Sequence, residues 1–466
     1  MGGLLSALNT ASTALEAYSQ ALGVDQSNIA NVSTPGYAAQ RASILPVGLP
    51  GAPNGNGDYV ALSSTADPRT DAITRAATSQ ASDSQTQASQ LSPVNQLFDI
   101  TGSTGILAAF QQFSTAFANL SVAPNDPTLG AAALSAARTV ASAFQTTTAS
   151  LDTQSTQLAS SIQSTTSQIN ALSADIRHLN VQANASLTPS PGGDASLRSD
   201  LDQLSSLVDI TVTSAPNGTV SVLAGGELPL VIGDQSYSLS ADPSAMPGSQ
   251  ISSSAGGSSP ASFSGQLGAL LQTQNGTIAQ LLGSGTNPGT LNALAAGFAS
   301  RVNTLLSSGT TTAGAAGVPI FTYDNADPTN AARTLALDPS VTPDQLGLGT
   351  TGAGAASNGV SNQLAALAGS TAAADQINGL SAEALFGSIA ASVGQQLSDA
   401  NTAASADQTS LTTAQANRQL ESGVSLDQEA VNITSEQRAY QANAQVVSIL
   451  NQLTQDTINL IPATAG

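Results

Sequence analysis

The chain contains no cysteine, no tryptophan, a single histidine (His178) and, although ten residues are arginine, no lysine. Each absence removes a class of chemistry. Without cysteine there is no thiol nucleophile, no disulfide framework and no thiolate-held zinc or iron–sulfur centre. Without lysine there is no Walker-type phosphate loop and no Schiff base. Aromatic residues make up only 3% and charged residues 9% of the 466 positions, and the net charge is −20. Ten arginines in so acidic a chain cannot build the positive surface that nucleic acid requires, and the same balance disfavours anionic membranes. Neither nucleic acid nor membrane is therefore expected as a partner. No window approaches ~18 consecutive apolar residues, the length of a membrane span. The opening Met1-Gly2-Gly3-Leu4-Leu5 lacks a basic region, and the first cation is Arg41, so no cleaved secretory signal is expected.

What remains is rich in Ala, Ser, Thr, Gln and Gly. At roughly 150 residues per domain the length suggests two to four domains. With so few aromatics the core should be thin. Small side chains suit closely packed helices, and stability is expected to lean on neighbours in an assembly.

Periodicity organises the chain. Leu8, Leu15, Leu22 and Ile29 stand seven apart, with Leu4, Ala11 and Tyr18 between them, which predicts one amphipathic helix over 4–30 with a heptad seam. Asn31-Val32-Ser33-Thr34-Pro35-Gly36-Tyr37 ends it in a turn. Residues 46–84, with Pro46, Pro50, Pro53, Gly51, Gly55 and Gly57, read as loop with a short strand at 59–62. Helices are expected over 85–187, the longest from about Thr128 to Ala185, and again over 195–208. The period then switches to two: Ile210–Val212, Asn217-Gly218 and Val220–Val222 read as a hairpin on a type I′ turn. Residues 240–262 read as a flexible loop, 264–307 as helices split near Gly283–Gly289, and 318–323 and 334–337 as short strands. From about 361 the chain is helical again. Its last stretch carries Leu426, Ile433, Tyr440, Val447 and Ile461 on a seven-residue ladder, widened by Leu450. The ends mirror one another, so they are expected to pack together and nest the domains.

Three motifs hint at chemistry, and each has a plainer reading. Gly347-Leu-Gly349-Thr-Thr-Gly352 matches a dinucleotide fingerprint, yet no apolar strand precedes it and Gly354 and Gly359 follow where a helix should start; a flexible linker is the plainer reading. His178 has no nucleophile elbow to serve. Asp324-Asn325-Ala326-Asp327 lacks the spaced carboxylates and closing Glu of a calcium loop, and reads as a turn. No catalytic, cofactor-binding or metal site emerges, and no enzyme activity or cofactor is expected.

The ends carry the most specific pattern. Ser27-Asn28-Ile29-Ala30-Asn31-Val32-Ser33-Thr34-Pro35-Gly36-Tyr37, with Gln40-Arg41 after it, resembles the N-terminal motif of bacterial flagellar axial proteins. Its Thr-Pro-Gly-Tyr form is similar to the hook–filament junction family, hook-associated protein 1 (FlgK family). Ser422–Glu429 followed by Gln437–Ala444 resembles the C-terminus of that family, and Leu197–Val222 its helix-to-hairpin segment. The stretch 59–75 matches weakly, since Arg69-Thr70-Asp71 has altered spacing.

The resemblance implies a mainly α protein with a small β-containing central module, in a nested axial-protein architecture whose N- and C-terminal helices pair as a coiled coil. The divisions expected are 1–45 with 426–466 as the terminal coiled coil of an inner tube, 46–208 with 361–425 as a long-helix bundle, and 209–360 as the central module. Asn28, Asn31, Thr34, Pro35, Gly36 and Tyr37 would form the turn leading out of the tube. The implied role is a structural subunit joining hook to filament and needed for filament assembly. It would be exported without a cleaved signal through the flagellar type III apparatus. The implied partners are itself in a ring, hook protein, the second junction protein, the export apparatus and a chaperone at the C-terminus. Another axial subunit of hook, rod or filament type, or a secreted adhesin, stands as the alternative.

Overall fold

The computed structural model describes residues 2–48, 56–185, 191–242, 250–256, 263–350, 352 and 357–459. Helix α1 (Gly2–Ala30) leads through a turn into a hairpin of β1 (Gln40–Gly48) and β2 (Asn56–Ser64). Then come α2 (Pro68–Gln96), α3 (Gly105–Val122), α4 (Pro127–Ala185) and α5 (Pro191–Leu207). The central module holds β3 (Ile210–Ser214), β4 (Val220–Ala224), β5 (Leu228–Ile232), β6 (Gln235–Ser236), β7 (Leu239–Ala241) and β8 (Ile251–Ser253). It continues with α6 (Gly265–Gln272), a π-helical turn (Thr273–Ile278), α7 (Ala279–Leu282), α8 (Thr290–Ser308), β9 (Phe321–Thr322), α9 (Ala331–Thr334) and β10 (Ala336–Leu337). The chain returns through α10 (Gly359–Ala366) and α11 (Ala382–Ser422) to α12 (Leu426–Asn459).

The body is built on α4. After Gly130 nothing in its 59 residues breaks a helix, and at ~1.5 Å per residue it runs about 90 Å. Its buried positions recur every three or four residues, from Leu134 and Ala137 through Leu151, Leu158, Ile162 and Ile169 to Ile176 and Asn180. Two hydroxyls on this stripe are satisfied within the helix: Thr166 donates to the Ile162 carbonyl (2.7 Å) and Ser173 to that of Ile169 (2.8 Å). The scarce aromatics are concentrated. Phe110, Phe113, Phe117, Phe144, Phe298 and Phe321 form one linked group where α3, α4 and α8 meet, with the Phe110 and Phe298 centroids 4.6 Å apart. Phe98, just past the end of α2, meets Phe386 on α11.

Asparagines fasten helices to extended backbone. The Asn180 amide donates to the Val220 and Gly233 carbonyls and accepts from Val220 N–H. Asn170 does the same with both backbone groups of Leu239, and Asn303 with Ile320 and Phe321. Each amide satisfies strand groups that no neighbouring strand reaches.

Several sequence expectations are corrected. Residues 56–64 form a full strand paired with β1 in antiparallel register, Gln40 opposite Ser64, and α2 begins at Pro68, so most of 46–84 is regular structure. The β3–β4 connection is not type I′: among its residues Gly218 alone has positive φ (+84°), and its N–H reaches the Ala215 carbonyl. Pro216 fixes the φ of an ordinary turn there, and Gly218 takes the left-handed position after it. The described part of 240–262 includes β7 paired with β8. The Gly347 region is a close-packed crossing, not a linker: a Cβ on Gly347 would lie 2.9 Å from the Gly317 Cα and 3.0 Å from the Gly309 carbonyl carbon. Glycine is needed there because two backbones touch. Asp324 and Asp327 do make a turn, accepting from the N–H groups of Ala326 and Thr329. His178 is exposed beside Gln182.

Candidate assembly interface at the paired termini

The terminal helices pack antiparallel, with Asn28 near the end of α1 bonded to Glu429 near the start of α12. The buried seam of α1 is Ala11, Ala14, Ala17, Ala21, Asp25 and Asn28. Alanine at these three- and four-residue steps lets the helices approach closely but buries little area. Leu4, Leu8, Leu15, Tyr18, Leu22 and Ile29 flank that stripe, half-buried. On α12, Ile433, Val447 and Leu450 are half-buried, while Leu426 and Tyr440 are exposed (51% and 40%). Ile461 lies outside the described residues. Leu5, Val431, Val446, Ile449 and Leu453 add further apolar surface facing away from the seam.

The turn after α1 is organised by Asn28, which is fully buried. Its Nδ2 donates to the Gln40 carbonyl (2.8 Å) and Glu429 Oε1 (3.2 Å), and its Oδ1 accepts from the Tyr37 hydroxyl (2.9 Å) and Gln40 N–H (2.9 Å). Four bonds use the whole capacity of the amide. Asn31 donates to the Ser27 carbonyl and accepts from the Thr34 hydroxyl, and the Thr34 carbonyl accepts from Tyr37 N–H. Pro35 is exposed. Gly36 has φ +73°, and a Cβ there would meet the Ala195 carbonyl and come within 2.8 Å of Ser199 N. Left-handed backbone and close approach both demand glycine.

A charged joint fastens this turn to the body. Arg198 on α5 donates to the Gly36 carbonyl (3.0 Å) and lies 3.9 Å from Asp71 on α2. Arg418 on α11 bonds Asp202 (2.7 Å) and reaches Asp71 (3.8 Å), and Arg75 lies between both aspartates (3.7 and 3.6 Å). Burial pushes the Asp71 carboxyl up from its usual range, against the pull of Arg75, Arg198 and Arg418. Beside the joint the Ala39 N–H donates to the Ser422 carbonyl (3.0 Å), and Thr65 N–H to the Ala39 carbonyl (2.9 Å). The strand leaving α1 and the end of α11 that leads into α12 are thereby tied to each other.

The sequence reading missed this joint and the acids Asp25, Glu429 and Glu436. A signal existed for both. Asp25 continues the Leu4–Ala11–Tyr18 ladder, which puts a carboxylate on a seam. Three of only ten arginines stand in the joint. Among the described residues no His, Cys, Asp or Glu group is placed to hold a metal ion, and no helix is long and apolar enough to cross a membrane.

Paired terminal helices that expose apolar flanks, followed by a turn built on the Asn28–Tyr37 motif and enclosing a long-helix body, are the architecture that the resemblance to axial proteins of the bacterial flagellum implies. Comparison with known proteins narrows the class. Residues 8–37 match the family model described as flagella basal body rod protein, 91–321 that of the flagellar hook-associated protein FlgK helical domain, and 416–460 that of the flagellar basal body rod FlgEFG protein C-terminal. Flagellar hook-associated protein 1 of Bacillus subtilis (strain 168) is 26% identical over 97% of this chain and 97% of its own length. The solved structure of the flagellar hook junction protein FlgK from Burkholderia pseudomallei shares the fold, with TM-score 0.61 at 16% identity over 75% of this chain and 99% of that one. The chain belongs to the FlgK family of flagellar hook-associated proteins, structural proteins of the flagellar hook junction.

Proposed function

We propose that the chain forms a ring of identical copies between hook and filament, meeting hook protein on one side and the second junction protein on the other. The observation that carries this reading is the apolar surface the terminal pair leaves open, from Leu5 on α1 to Val431, Val446, Ile449 and Leu453 on α12. Monomeric proteins seldom gather exposed large apolar side chains on one helix pair without a partner. Residues 1–45 with 426–466 line the inner tube, with Leu4, Leu8, Leu15, Tyr18, Leu22, Ile29, Leu426, Ile433, Tyr440, Val447, Leu450 and Ile461 packing against neighbouring copies. Residues 46–208 with 361–425 form the surrounding bundle, and 209–360 the central module. The Asn28–Tyr37 turn sets the angle between tube and bundle. The chain catalyses no reaction. It reaches the outside through the flagellar export apparatus without a cleaved signal, its C-terminal helix held by a chaperone until export.

Electron microscopy of a strain lacking this gene, with flagellin assayed in the medium, tests the reading. Hooks without filaments and flagellin lost to the medium are expected. Absent hooks would move the protein into the rod or hook, and normal filaments would overturn an axial role.

A further inference from the structure

The seam between α1 and α12 holds three carboxyl groups where apolar side chains would be ordinary. Asp25 on α1 is 5% exposed and Glu429 on α12 is 6% exposed; Glu436 lies two turns further along α12, half-buried. Asp25 interacts electrostatically with Glu436 and Glu429 across the seam. One oxygen of each acid, Asp25 Oδ2, Glu429 Oε2 and Glu436 Oε2, is buried with no hydrogen-bond partner. None of the three is in an ion pair among the described residues. Two ionised carboxylates cannot hydrogen-bond one another, so these acids can share hydrogen bonds only with at least one proton on the group.

The surroundings supply little compensation. On α1 the other ionisable groups are Glu16 and Tyr18, two turns or more away. On α12, Asp427, Arg438 and Tyr440 are exposed, Tyr440 one turn beyond Glu436. From the turn, Tyr37 gives its hydroxyl to Asn28, not to an acid. β1 brings Arg41, exposed, whose charge is the weakest influence on Glu429, and β2 faces β1 here with Ser63 and Ser64. Among the described residues, the neutral donor that reaches the group is the Asn28 amide on Glu429 Oε1.

We propose that Asp25, Glu429 and Glu436 form a proton-operated latch on the terminal helix pair: sharing a proton they close the seam, and fully ionised they repel and loosen it. The expected direction follows from burial. Desolvation first, and the charge of Glu436 second, push the Asp25 carboxyl up to about 6, and burial raises Glu429 and Glu436 as well. A carboxyl raised in the paired state favours pairing fully below its ordinary value near 4, and that contribution is lost as pH rises through about 6. At neutral pH the latch is open. The pair then exchanges readily, and its seam as well as its flanks is available to other copies. Only that consequence rests on the assembly reading above.

Hydrogen exchange on the full-length monomer tests the latch. Amide protection over residues 18–30 and 429–440, corrected for the intrinsic pH dependence of exchange, gives the opening equilibrium. It should rise roughly ten- to hundredfold from pH 4 to pH 8. In Asp25→Asn with Glu436→Gln the profile should flatten, with the seam staying closed at pH 8. Glu436→Gln alone, which keeps the side-chain volume, should reduce the slope if the double variant pairs poorly. A flat wild-type profile, or an unchanged slope in the variants, would overturn the latch while leaving the junction reading intact. Normal filaments in the deletion strain would do the reverse.

Discussion

The body and the terminal pair are both helical, yet they are held by opposite means. In the body, six Phe rings interlock at the meeting of α3, α4 and α8, and long apolar stripes run the length of α4. In the terminal pair the buried seam is four alanines, an acid and an amide on α1, set against Glu429 on α12. A buried Phe removes about 150–250 Å² from water, at about 25 cal/mol per Å². Alanines remove far less each. The body therefore buries its large side chains within the chain, whereas the pair keeps its larger apolar side chains half-buried or exposed on its flanks. One sequence thus encodes a block with a large buried core and a helix pair with a small one, and the charged joint ties the turn between them to the block.

The sharpest way to break this contrast is to damage the block. Phe298 is 1% exposed and contacts Phe110, Phe113 and Phe321. Phe298→Ala should cost about 3–5 kcal/mol by opening a cavity, read as a lower midpoint in denaturant unfolding followed by circular dichroism. An effect below about 1 kcal/mol would mean the ring cluster is not the core of the body.

A matched pair of substitutions sharpens the comparison. Asn180 and Asn28 are both buried and both satisfy strand backbone with their amides. Replacing either with Ala strands buried donors and acceptors, at about 2–3 kcal/mol. Asn180→Ala should lower global stability. Asn28→Ala should leave the melting of the body unchanged and speed hydrogen exchange over 18–30 and 429–440. Equal effects on the global transition would show that the two regions unfold as one.

These two asparagines also mark what was legible in the sequence. Heptads and helix stops placed α1, α4 and α12 closely, because apolar period and Pro or Gly punctuation are local signals. Asn28 was visible through its motif. Asn180 was not, since a polar residue on a long helix reads as surface until its strand partner, forty residues on, is in place. The β1–β2 hairpin was hidden by its prolines and glycines, which suit a loop equally well. The carboxyl seam escaped because Asp25 and Glu429 meet only through a contact about 400 residues apart in sequence.

A smaller effect comes from an acid inside the body. Burial first, then Asp209 and Asp407, push the Asp83 carboxyl up to about 6. Raised above its unfolded value, it favours the fold below about pH 4, and that contribution fades as pH rises through 6. Asp83→Asn should therefore raise body stability at pH 7 by on the order of 1 kcal/mol after solvent screening, and change it little at pH 4. A variant equally displaced at both pH values would tie the effect to packing instead of charge.

The smallest effect tests whether a short bond on the surface of the body matters as a buried one does. Arg333 on α9 reaches Asp152 on α4 at 2.6 Å, closer than any ion pair in the joint, yet the two side chains are 52% and 37% exposed. Water already solvates both charges, and holding two long side chains in one geometry costs entropy, so such pairs contribute about 0.2–1 kcal/mol. In the joint, Arg198 is 15% exposed against Asp71 at 8%, and its guanidinium also holds the Gly36 carbonyl. Arg333→Ala should shift the unfolding midpoint by less than about 1 kcal/mol, and salt should erase the shift. Arg198→Ala should leave a buried carboxylate and a carbonyl short of a partner, and show itself as faster exchange at the turn. If Arg333→Ala proved the costlier of the two, distance and not burial would rank the ion pairs of this chain, and the joint would lose its claim to hold the terminal pair in place.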